Sequence, residues 1–84
     1  MKDYELDDLK FDAMAWRDRI LHLIQFKTNK KPSKKILIQM AELENRRECI
    51  CLWIDRSTKK RKIIVYSTLC SKGIELKEYS TIIS

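Results

Sequence analysis

The chain holds one glycine, one proline and one histidine in 84 residues. A single glycine, Gly73, leaves no material for a Gly-rich phosphate loop. So little glycine and proline also excludes a flexible linker or a low-complexity tract. The lone histidine, His22, has no partner near it in sequence for acid–base or nucleophilic chemistry. The reading is of a protein without catalytic activity. No apolar run approaches the ~18 residues of a membrane span, and the acidic first residues do not read as a secretory leader. Cysteine is sparse and odd in number: Cys49, Cys51 and Cys70. The pair Cys49-x-Cys51 lacks the spacing of zinc knuckles, so neither a metal nor another cofactor is expected. The thiols read as buried and reduced, in a cytoplasmic protein.

Charge is abundant. The formal net charge is +6, and residues 1–20 carry six acids against four bases, whereas residues 21–84 carry fourteen bases against six acids. A basic excess gathered in one part of a chain points to a polyanionic partner. A Lys-rich solvated surface is the plainer reading: twelve lysines and eleven isoleucines also suit an AT-rich genome, such as many phages have.

Leu6, Leu9, Ala13, Trp16, Ile20 and Leu23 recur at spacings of three and four. This predicts an amphipathic helix over about 6–27, with Asp7 or Asp8 as N-cap. Ile36, Ile38 and Met40 alternate with Leu37, Gln39 and Ala41, which predicts a first strand. After a turn at Glu44–Arg47, the nearly continuous apolar run Glu48–Asp55 predicts a central strand covered on both faces. Lys62–Leu69 predicts a third strand, and about 74–83 an edge strand or a short helix. The expected fold is a single α+β domain: an N-terminal amphipathic helix packed on an antiparallel three- to four-stranded β-meander, with the sheet over about 35–69. In that meander Ile50, Leu52, Ile54, Ile63 and Val65 share the helix-covered face, and Cys49, Cys51, Trp53, Ile64 and Tyr66 lie on the other.

Two segments free of acids, Lys27–Lys35 and Arg56–Lys62, are expected to meet at one end of the sheet. Their bases are Lys27, Lys30, Lys31, Lys34 and Lys35, with Arg56, Lys59, Lys60, Arg61 and Lys62. Such a pole suits phosphate backbones, with salt-dependent affinity. Trp53 and Tyr66, expected on the open face, would stack unpaired bases. The leading expectation is a small basic regulatory protein that binds RNA or another nucleic acid. The alternative is a phage-type inhibitor that occludes a host protein. The mixed second sheet face is a candidate homodimer surface. Asp3–Asp12, expected opposite the pole, reads as helix capping, with docking of a basic protein as its alternative.

A basic chain of this length ending in consecutive antiparallel strands is similar in outline to the RelE/ParE-like toxins, small ribonucleases or gyrase inhibitors. The likeness spans Arg47–Tyr79 and rests on architecture. It implies a ribonuclease toxin as a third reading and transfers no catalytic residue.

Overall fold

The structure is a computed structural model that describes residues 11–83. Its order is β1 (Ala13–Arg17), β2 (Ile20–Thr28), α1 (Lys34–Arg47), β3 (Cys49–Ser57), β4 (Lys62–Tyr66), β5 (Ile74–Glu75) and α2 (Leu76–Ile83). The strands form one mixed sheet in the order β1-β2-β3-β4-β5. All neighbours are antiparallel except β2 and β3, which run parallel. A parallel pair needs a crossover, and α1 supplies it.

This overturns the helix-on-meander expectation. The helix expected over 6–27 is, within the described residues, the hairpin β1–β2; Leu6, Leu9 and the caps Asp7 and Asp8 lie outside them. The apolar spacing there satisfies two periods at once. Leu21 and Leu23 point to one face of β2 and Ile24 and Phe26 to the other, as strand alternation demands. The break is Asp18–Arg19, with φ of 53° and 68°. Two consecutive positive φ values match the twist of a two-residue hairpin, although the usual Asn-Gly signal is missing.

The strand expected at 36–41 is the middle of α1, and the turn expected at Glu44–Arg47 is its last turn. Ile36, Leu37, Met40 and Leu43 follow the i, i+1, i+4, i+7 helical stripe, which outweighs a short alternation. Ser33 caps the start, its hydroxyl accepting the Ile36 N–H at 3.2 Å, and Glu48 ends the helix in the left-handed region. Arg46 and Arg47 in the last turn suit the helix dipole.

The third correction concerns the faces. In the observed register Ile54 pairs with Val65 and Trp53 with Tyr66, so the two groups of side chains separate as expected. The helix, however, lies on the other side. The core joins Met40 and Leu43 of α1 to Cys49, Cys51, Trp53 and Tyr66, with Leu21, Leu23 and Ile64 packed around them. The expected open face is therefore the covered one. On the far face Leu52 and Val65 are buried, and α2 packs on β4 and β5. The central strand expected at Glu48–Asp55 is met by β3, the middle strand of the sheet. The residues from 74 onward form both a short strand and a helix. Gly73, at φ 86°, leads into β5. A Cβ there would lie 2.6 Å from Tyr66 Cε2, so a larger residue cannot pass the ring.

Candidate nucleic-acid interface

The two basic segments converge, by a route other than the one expected. Because β2 and β3 are parallel, both end at the same edge, with Thr28 opposite Arg56. The loops that follow are clasped. Asn29 Nδ2 donates to Thr58 Oγ1 at 2.7 Å, and the Thr58 N–H donates to Asn29 Oδ1 at 3.0 Å. The Asn29 N–H donates to the Arg56 carbonyl at 3.1 Å. Asn29 sits at φ 55°, a conformation asparagine tolerates well. Below the clasp, buried Asp55 accepts the Lys30 N–H at 3.0 Å, and the Trp53 indole donates to the Lys30 carbonyl at 2.8 Å. Lys27 Nζ stands 5.5 Å from the centre of the Trp53 ring, within cation–π reach.

Of the named bases, Lys30, Lys31, Lys34, Lys35, Arg56, Lys59, Lys60, Arg61 and Lys62 are all exposed. Lys34 and Lys35 occupy the first turn of α1, which contains no acid, so they oppose the positive end of the helix dipole. Arg61 is held at φ 54° in the β3–β4 turn, where a side chain other than glycine or asparagine is strained. Lys62 is partly neutralised: its Nζ lies 2.7 Å from Glu75. That bond raises the lysine pKa and lowers the glutamate's. Two clefts open among these side chains. One, of about 360 Å³, is walled by Arg56, Arg61, Lys62, Ser57, Thr58 and Ile63. The other, of about 210 Å³, brings Lys31, Lys60 and Lys62 together with Lys72. Lys72 was missed by sequence reasoning, because it enters the pole only through the turn that leads into β5.

Trp53 does not join this surface, and Tyr66 reaches it only as a wall of the second cleft. They are 3% and 4% exposed, paired side by side in the core. With α1 covering them, neither can stack a base. Trp53 instead ties the Lys30 loop to the sheet. Burial and the nearby Asp55 charge push the Tyr66 pKa up.

Cys49 and Cys51 are buried and Cys70 half-buried, all free. Burial pushes both Cys49 and Cys51 upward, Cys51 strongly. His22 lies on β2, its Nδ1 3.0 Å from the Ile20 carbonyl. Among the described residues no three His, Cys, Asp or Glu side chains converge on a common point. Asp12 stands towards the pole end of β2, its carboxylate accepting the Phe26 N–H at 2.9 Å, so this part of the acidic stretch is not opposite the pole. The rest of that stretch lies outside the described residues. Among the described residues no helix is long and apolar enough to cross a membrane. No family model, no curated protein and no solved structure matches the chain.

Proposed function

We propose that this protein is a non-enzymatic nucleic-acid-binding protein of the cytoplasm that grips phosphates through its basic pole. The observation that carries the reading is the clasp between Asn29 and Thr58, which holds two acid-free basic loops at one sheet end. Like charges gathered this way repel unless an anion sits among them. Two further features favour function over solubility. Lys34 and Lys35 stand against the helix dipole, and Arg61 occupies a backbone position that a neutral glycine would fill with less strain. Exposed, flexible lysines suit backbone contacts rather than base reading.

The test is binding of labelled single-stranded RNA, duplex RNA and duplex DNA at roughly 50 and 200 mM salt. Wild type should bind and lose affinity steeply with salt. Lys59→Glu, Lys60→Glu and Arg61→Glu together should abolish binding while the circular dichroism spectrum is kept. A folded triple variant with unchanged affinity would overturn the proposal. It would move the reading to a protein target, for which the edge strand β1 is the favoured surface: Met14 and Trp16 are 72% and 73% exposed there. A cleft of about 490 Å³ opens beside it, lined by Phe11, Met14, Leu23 and Leu43.

A further inference from the structure

Trp53 and Tyr66 lie in the core and the exposed Trp16 stands at the far end of β2 from the pole, so the exposed aromatic ring that register places next to the pole is Phe26, on the other face of the sheet. That face is covered in its middle and open towards the pole. Along β3, Leu52 is buried, Ile54 half-buried and Arg56 exposed. Along β4, Val65 is fully buried whereas Ile63 is 42% exposed. On β2, Ile24 is half-buried and Phe26 is 53% exposed. Register brings the open members together: Phe26 lies beside Ile54, Thr28 beside Arg56, and Arg56 beside Ile63. An exposed aromatic ring therefore stands one diagonal step from a guanidinium. The cleft walled by Arg56, Arg61 and Ile63 continues the same strip into the basic pole. Asp12 fixes the Phe26 backbone through its 2.9 Å hydrogen bond.

We propose that this strip seats an unpaired nucleobase on Phe26, flanked by Ile54, while Arg56 and Arg61 hold the adjoining phosphates, so that the preferred ligand is a single strand. The occupant is chosen by charge. An apolar strip that runs into arginines matches a chain whose flat apolar faces alternate with phosphates. A protein partner would need an acidic rim placed against the same arginines. Duplexes keep their bases stacked and cannot use the ring. The inference rests on the phosphate-binding reading above.

The experiment is fluorescence anisotropy with a labelled single-stranded RNA oligonucleotide and a duplex of equal length, at one salt concentration. Wild type should prefer the single strand. Phe26→Ala should weaken single-strand binding about five-fold or more and leave duplex binding within two-fold. Phe26→Trp should restore it. Phe26→Leu keeps apolar volume without a π face and should behave as the alanine variant does. Its folded state serves as the control should Phe26→Ala unfold. Equal single-strand affinity in wild type and Phe26→Leu overturns the stacking inference and leaves the phosphate reading standing. Absence of binding by wild type to both probes overturns both. A wild-type dimer in sedimentation that Phe26→Ala dissociates also overturns the inference, since the strip would then be covered by a second copy.

Discussion

At the scale of single residues, conformation and charge disagree at Arg61. A left-handed non-glycine residue costs roughly 1–2 kcal/mol, and glycine returns part of that through the greater freedom of its unfolded chain. Arg61→Gly should leave stability unchanged or raise it by up to ~1 kcal/mol in urea denaturation, while weakening nucleic-acid binding. A loss of both would show that the guanidinium holds the fold rather than the ligand. Cys51 carries the pH prediction. Its buried thiol, raised above the ordinary value of 9.0, stays protonated in the folded state where the unfolded chain would ionise. Stability is therefore fully present below about pH 9 and falls as pH rises beyond it. Cys51→Ala should lose less stability between pH 8 and 10 than wild type, measured by denaturant midpoint. An identical slope in the two proteins would refute the assignment.

At the scale of elements, α1 holds two opposed requirements. Ser33 caps its start with a hydrogen bond, yet its first turn presents Lys34 and Lys35 to a partial positive charge. Replacing both with glutamate should raise the melting temperature, by the equivalent of roughly 1 kcal/mol, and reduce affinity for nucleic acid. A fall in melting temperature would mean that these lysines stabilise the helix by contacts stronger than the dipole effect. β3 and β4 were legible in sequence because a central strand is apolar on both faces and a charged turn follows it. The segments 13–28 and 34–47 were not, because each fits the period of two and the period of 3.6 over a short stretch. Positive φ at Asp18 and Arg19 decided the first segment. The Ser33 cap and the Leu43 contact in the core decided the second.

At the scale of the whole molecule, the net charge of +6 is concentrated where two strands end side by side. The charge-reversal variant tests this concentration as a unit. Its effect should exceed that of any single lysine and should flatten the salt dependence of what binding remains, because fewer counterions are then released. The sequence by itself determined which residues are charged, that the two basic segments are free of acids, that β3 is apolar from Cys49 to Ile54, and that the thiols have no zinc spacing. These follow from residue chemistry and hold in any fold. Tertiary structure alone decided which face of the sheet the helix covers, and with it the fate of the aromatics. Alternation along a strand sorts side chains into two sets, but nothing local says which set meets the helix. The crossover through α1 put Trp53 and Tyr66 inside and left Phe26 exposed, one diagonal step from Arg56.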